Sequence, residues 1–470
     1  MKNLRLLLSL CSAILFLINV AFSQSTGDYR SNPTGVAPYL WTSVSNWQIY
    51  NADSAKWLTA TGTPSSTNNV TVLTGDTISL TSNIAQCARL TVESGGVLQS
   101  NNLAISSPMT LRVFGTSVTI NGILGKASGD GIALETAGPS GNTLTLSGSG
   151  SVNISTVKMN TTHNTIVFGM NVNLYNAGSD GKEGYGLQIN KDSAAVTINA
   201  GYSVAFAQNS GLSFTSSQDS VAVTATININ GTLDLSQSGS NMILKCTTGD
   251  SATLNINSGG SVTVGGNFLT TDVNDKGKPT TITINGTGSL TCKGITDFSN
   301  PGMKVTGTGS FTLSSGASLY IGDAAGITSS GSTGTIQTTT RTFNANANYA
   351  YMDTVAQVTG NALPSNVRGF IVNNKNGVTI SNSLTVDTIL TFTNGKLTLG
   401  SNNLILSQSG TLQGGSGTSY AIAEGSGVFT RNSVGTNNIL FAVGTSSSYN
   451  PVIINNSGTV DNFSLRLKSS

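Results

Sequence analysis

Two short runs of alternating apolar residues joined by a glycine turn recur along the chain, and this repeat limits the fold more than any other feature. It appears as LTVESGGVLQS (90–100), LTLSGSGSVNI (144–154), VTINAGYSVAF (196–206), ATININGTLDL (225–235), ATLNINSGGSVTV (252–264), TITINGTGSLTC (281–292) and MKVTGTGSFTL (303–313). Within each run Val, Ile, Leu and Phe alternate with Thr, Ser and Asn, the period-two signature of a half-buried strand, and helical periodicity is nearly absent. Turn centres near residues 96, 122, 149, 201, 231, 259, 286 and 307 return every 20 to 30 residues, apart from one doubled step between 149 and 201. A propeller blade takes about 40 to 50 residues, and a sandwich places turns every 8 to 12 residues or so without a coil-length repeat. One coil of a parallel β-helix, three short strands and three turns, fits a repeat in the twenties. The expected fold is all-β, a right-handed parallel β-helix (solenoid) of on the order of fifteen coils.

Charge is scarce in a way that suits such a stack. The 470 residues include 22 Lys and Arg and 20 Asp and Glu, so 9% are charged, where a globular domain carries about 25%. Equivalent positions in successive coils stand roughly 4.8 Å apart, and like charges there would form repulsive ladders that Thr, Ser and Asn avoid. The scarcity excludes a coiled coil, a charge-rich disordered tail and a basic nucleic-acid binder, and no nucleic-acid partner is expected.

Residues 1–23 read as a secretory signal: Lys2 and Arg5 precede the apolar stretch from Leu6 to Val20, and Ala21-Phe22-Ser23 supplies small residues at −3 and −1. Maturation is expected at Gln24, which leaves 20 basic against 20 acidic residues. No later run approaches 18 apolar residues, so no transmembrane segment is expected after signal removal. The expected product is secreted or held at the cell surface, on the exterior of an outer membrane. Of the remaining cysteines, Cys87, Cys246 and Cys292 lack zinc-site spacing and read as small buried hydrophobes.

The pattern divides the mature chain into four. Residues 24–66 hold Trp41, Trp47 and Trp57 with Tyr29, Tyr39 and Tyr50, and read as an aromatic N-terminal cap on the solenoid's open end or as a sugar-stacking patch. Residues 67–335 form the main β-helix. Residues 336–420, including GVTISNSLTV (377–386) and KLTLGSNNLIL (396–406), form a second solenoid repeat region, and residues 421–470 lose the coil period as a small C-terminal β-unit. Asn121-Gly122, Asn230-Gly231 and Asn285-Gly286, with Asn199 and Asn257 two residues before a glycine, read as a structural ladder, since Asn tolerates left-handed backbone and its amide reaches an equivalent amide one coil away.

The tryptophan-bearing segment followed by NVTVLTGDTISL (69–80) and LTVESGGVLQS resembles the start of secreted β-solenoid surface proteins of Bacteroidetes. QVTGNALP (357–364), GVTISNSLTV and FAVGTSSSYNPV (441–452) resemble repeats in the same large proteins. The resemblance covers about two-thirds of the chain, and its degenerate motifs mark a class of surface protein rather than an activity. It implies export by type IX secretion, often with a C-terminal sorting domain. This sequence stops at Lys468-Ser469-Ser470 without one, so truncation or another export route is expected. The resemblance also implies O-glycosylation where Asp is followed by Ser or Thr and then by an apolar residue or Thr. Seven triplets fit, with hydroxyls on Ser54, Thr77, Ser193, Ser220, Ser251, Thr354 and Thr388. Random order among 16 Asp would give about two, although Asp-Ser entering a strand is also ordinary turn chemistry.

Catalytic signatures are missing. The single histidine, His163, has no acidic neighbour in sequence and reads as a surface residue, and no GxSxG, HExxH, Walker-type or calcium-repeat motif is present. Charge concentrates in GSDGKEGYG (178–186) and TDVNDKGK (271–278). Both read as solvated loops, or as a weak calcium or glycan site built from Asp180, Glu183, Asp272 and Asp275, because hard cations want several oxygens on a flexible loop. No other cofactor is expected. The leading functional expectation is a non-catalytic structural or adhesive surface solenoid that binds extracellular polysaccharide or other surface proteins. A carbohydrate-active enzyme, a lyase or hydrolase, requires acids and a Lys or Arg brought into one groove. Ice binding requires Thr-x-Thr pairs such as Thr143/Thr145, Thr224/Thr226 and Thr391/Thr393 to stack on one flat face, which their irregular sequence spacing argues against.

Overall fold

Alternation drives the architecture: in each run every second residue is large and apolar, so a strand can bury one face only by curling around a shared core with its neighbours. The computed structural model describes residues 24–34, 37–81, 84–101, 108–159, 161–176, 184–189, 191–214, 224–244, 251–270 and 280–468. Among them no α-helix occurs; the one helical turn is a 3-10 turn at Val44–Asn46. Each coil lays down three strands that join three parallel stacks. Arg89–Val92, Val97–Ser100 and Met109–Val113 belong to the first, second and third sheets, and the next coil repeats the order with Ser117–Ile120, Ile123–Gly125 and Ile132–Thr136. The first sheet has 13 strands and the second 12. The fold is therefore the parallel β-helix that the repeat predicts.

Register partners give the coil length: 23 residues from Leu111 to Leu134, 30 from Leu212 to Met242 and 20 from Phe370 to Leu390. Inward positions stack like on like. Leu90, Val118, Leu146, Phe168, Ile198 and Ile229 follow one another up the first sheet, all buried. Truncating one such side chain to alanine costs about 2–5 kcal/mol, because packed neighbours on both sides cannot collapse into the gap. Cys87 and Cys292 lie among these core residues as free thiols, while Cys246 falls outside the described residues.

The N-terminal segment closes the end of the core. Tyr29–Ser31 pairs in parallel with Asn69–Val72 and antiparallel with Trp47–Asn51, which in turn pairs with Lys56–Thr59. Trp41 and Trp47 pack edge to face, 5.1 Å between ring centroids, and Trp47 Nε1 donates to the Trp41 carbonyl at 2.8 Å.

Beyond residue 336 the cross-section changes. The first sheet ends at Lys304–Thr306 and the second at Thr340–Phe343, and a five-stranded sheet of two-residue strands begins at Gln357–Val358. The third sheet continues through the change, by way of Asn348–Tyr351, Asn366–Asn373 and the 11-residue strand Leu384–Asn394. Near the C-terminus the parallel pattern gives way to antiparallel pairs, Phe429–Val434 with Asp461–Leu465 and Ile439–Phe441 with Val452–Ile454.

Candidate functional site

The outward face of the first sheet carries a trough next to the cap. Strand alternation turns Arg30, Asn69, Thr71, Arg89, Thr91, Ser117 and Thr119 outward while Val70, Leu90 and Val118 fill the core. The trough holds about 530 Å³, and its charged and aromatic lining is Asp28, Arg30, Trp57, Arg89 and Glu93. Arg30, Thr71, Thr91 and Thr119 share one rank across four strands, and Asn69, Arg89 and Ser117 share the next. The Arg30 guanidinium carbon lies 4.5 Å from the Trp57 ring centroid, and its Nε donates to Gln48 Oε1 at 2.8 Å. Tyr50 packs on the same indole at 5.2 Å.

Of the two readings of the tryptophans, this geometry favours the aromatic cap for Trp41 and Trp47 over the sugar-stacking patch. Trp41 and Trp47 are 2% and 1% exposed, so neither ring presents a face to solvent; burying two indoles at the core's open end outweighs what they would gain outside. Trp57 lies at the trough, but its ring carries the Arg30 guanidinium. What it offers is a fixed cation rather than an open stacking surface.

A second cluster lies on the third sheet, where Arg112, Glu135 and Lys158 occupy one rank in successive coils. Arg112 Nε is 3.0 Å from Glu135 Oε2, and Lys158 Nζ is 3.9 Å from Oε1. Alternating sign turns the ladder that like charges would destabilise into an attractive one. A glycosidase needs a second carboxylate about 5–9.5 Å away. The next carboxylate along this rank, Asp297, is six strands on, roughly 29 Å at the usual spacing.

Hydroxyls form the third arrangement. On the second sheet Thr232, Ser261, Ser289, Ser310 and Thr340 stack in one rank, with Asp234, Thr263, Thr291, Thr312 and Thr342 in the next. On the first sheet Thr143 stacks on Thr165 and Thr226 on Thr253 and Thr281, whereas Thr145 meets Val167 and Asn228 meets Asn255. Unequal sequence spacing therefore does not prevent stacking. Steps of unequal length run from Phe214 to Thr224, from Leu244 to Ser251 and from Leu269 to Thr281, and the strands on either side keep register. Thr391 shows the opposite outcome, pairing with Ile371 and Gln413 rather than with another threonine.

Asp180, Glu183, Asp272 and Asp275 lie outside the described residues, and among the described residues no group of three or more His, Cys, Asp or Glu is arranged to hold a metal. Of the glycosylation triplets, Ser54, Ser193, Thr354 and Thr388 are exposed, Thr77 and Ser251 are half-buried, and Ser220 lies outside the described residues. Their aspartates also serve the fold: Asp76 accepts from Ser31 Oγ, Asp387 from Ser407 Oγ, and Asp192 from the Thr224 backbone N–H. Those last bonds, with the Thr224 amide first, hold the Asp192 carboxyl below its ordinary value. His163 is exposed, adopts φ of +61° and lies 3.3 Å from Ser140 Oγ through Nδ1.

Fold and trough together define a parallel β-solenoid with a polar groove at its capped end. No helix among the described residues is long and apolar enough to cross a membrane. No protein-family model, curated protein or solved structure matches the chain.

Proposed function

We propose that the chain is an exported, non-catalytic adhesive solenoid of the cell surface that binds polysaccharide through the trough on its first sheet. The observation that carries this reading is the trough itself, a groove lined by hydroxyls, two amides, two arginines and two carboxylates, with Trp57 and Gln48 fixing one arginine in place. Carbohydrate recognition wants closely spaced donors and acceptors on a preorganised surface, and side chains on a hydrogen-bonded sheet supply it at low entropic cost. Engagement of both Glu135 oxygens by cations favours the non-catalytic reading over a lyase or hydrolase at that cluster. Exposed hydroxyls at Ser54, Ser193, Thr354 and Thr388 fit a glycosylated exterior. The test is affinity electrophoresis through a panel of polysaccharides. The protein is expected to be retarded by at least one, and Thr91→Trp, which fills the trough from an outward strand position, is expected to abolish the retardation. Retardation unchanged by Thr91→Trp would move binding away from the trough.

The two hydroxyl ranks of the second sheet favour one further reading, ice binding. From Ser261 to Thr342 they form an uncharged lattice of hydroxyls, with Asp234 at one end, spaced roughly 4.8 Å along the solenoid and about 6.6 Å across it. An ice-recrystallisation assay decides the matter: inhibition that disappears in Thr291→Lys would support it, and crystals that coarsen as in buffer would dismiss it.

A further inference from the structure

The charges in the trough are not equivalent. Both carboxylates are committed to the fold. Asp28 Oδ1 accepts from Asn69 Nδ2 at 2.9 Å and Oδ2 from the Ser25 backbone N–H at 2.8 Å, while Glu93 Oε2 accepts from the Thr74 backbone N–H and hydroxyl, both at 3.2 Å. The cations are not committed in this way. Among the described residues neither Arg30 nor Arg89 has a carboxylate partner. Arg30 donates through Nε to Gln48, which leaves the terminal nitrogens of its fork directed by the Trp57 face. Arg89 is exposed, two strands away and one rank over, which sets the two Cα atoms about 12 Å apart. With Asp28 and Glu93 in the same lining the trough is formally neutral, so what marks it is not net charge but two guanidiniums that no carboxylate among the described residues pairs, each free to meet an oxyanion.

We infer that the polysaccharide bound here is acidic, carrying a carboxylate or sulfate on its sugar units that Arg30 and Arg89 recognise. The inference rests on the trough being the glycan site. Guanidinium is the side chain suited to planar, paired hydrogen bonding with such oxyanions. Holding Arg30 against an indole removes much of the side-chain freedom that binding would otherwise have to freeze. Two cations about 12 Å apart reach anionic groups on separate units of one strand, which an isolated anion could not bridge.

The experiment compares matched polymers by titration calorimetry at low salt: polygalacturonate against its methyl ester, and dextran sulfate against dextran, with single-stranded DNA as a polyanion control. Binding to polygalacturonate is expected to exceed binding to its ester by about tenfold or more, in line with charge-assisted hydrogen bonds, and to weaken as salt is raised. The dextran pair tells a sulfate from a carboxylate preference. Arg30→Gln and Arg89→Gln are each expected to weaken acidic-polymer binding by about tenfold while the circular dichroism spectrum and thermal midpoint stay unchanged. Arg89 is exposed, so its variant tests the idea even if Arg30→Gln disturbs the cap. Equal binding of acidic and neutral polymers would overturn the acidic preference and leave the glycan reading standing. Failure to bind any polysaccharide would remove both, and DNA bound as tightly as polygalacturonate would reduce the site to a nonspecific polyanion contact.

Discussion

Burial pushes the thiols of Cys87 and Cys292 up to about 12, so the reactive thiolate is scarcely populated near neutrality. Iodoacetamide at pH 8 is expected to spare both in the native protein and to alkylate both in denaturant; peptide mapping that finds either one modified natively would show that its coil opens. Asp130 is the buried acid to watch. Its Oδ2 accepts from the Ser100 backbone N–H, its Oδ1 has no hydrogen-bond partner and lies 4.0 Å from Lys126 Nζ, and burial raises its pKa above the ordinary value. A carboxyl raised in the folded state holds its proton more tightly there than in the unfolded chain. Its contribution to stability is therefore full below the ordinary carboxylate range and is lost as pH rises through the folded value. Asp130→Asn is expected to melt higher than wild type at pH 7 and to converge with it towards pH 3; parallel melting curves across that range would refute the assignment. At this scale the sequence was only partly legible. Trp57 stood out by rarity, but the two arginines carry no motif and meet only through register. A signal was present: NVTV (69–72) and RLTV (89–92) align residue for residue, which places Asn69 beside Arg89.

Strands were the most legible elements, because alternation of large apolar and small polar residues reports directly on which face is buried. The doubled step between 149 and 201 shows where that reading stops. It conceals a whole coil, Thr165–Gly169 and Val172–Leu174, whose turn is Gly169-Met170-Asn171 rather than a glycine pair or Asn-Gly, with Met170 turned into the core. One rung of the asparagine ladder is present among the turn positions, Asn257 donating to Asn230 at 2.8 Å, while Asn121 Oδ1 accepts from the Ser149 backbone N–H instead. It is matched by rungs on strand positions, Asn255 to Asn228 and Asn173 to Asn153, that no turn motif announces. Turns also set hard limits. At Gly395, φ is +81° and a Cβ would lie 1.6 Å from the Asn374 carbonyl oxygen. Gly395→Ala is expected to destabilise by several kcal/mol, roughly 2–4 from strain and displaced backbone, read as a lowered denaturation midpoint. A midpoint within error of wild type would mean that the coil shifts freely there.

Taken as a whole, the molecule is held by apolar ladders and backbone hydrogen bonds, and the ion pairs among its described residues are confined to Arg112–Glu135–Lys158, Lys126–Asp130 and Lys304–Asp323. Apart from Lys126–Asp130, whose carboxylate is buried, these are partly exposed pairs that contribute about 0–1 kcal/mol each. Raising sodium chloride from about 0.05 to 0.5 M should therefore move the thermal midpoint by no more than a few degrees; a large drop would reveal an electrostatic contribution that the apolar ladders do not account for. The class of fold was legible because one period ran through the chain, whereas the change of cross-section near residue 336 was legible only as a change of repeat. The number of residues between a third-sheet strand and the next first-sheet strand also differs, from Phe214 to Thr224, Leu244 to Ser251 and Leu269 to Thr281, without disturbing register. Each coil is bonded to the coils on both sides, so the peptide links at those crossings are not what keeps the coils together. A protease that cut one of them would leave a nicked molecule still assembled, its two fragments separating only under denaturant. For a protein that works outside the cell, as proposed above, that would be a form of durability independent of any covalent staple.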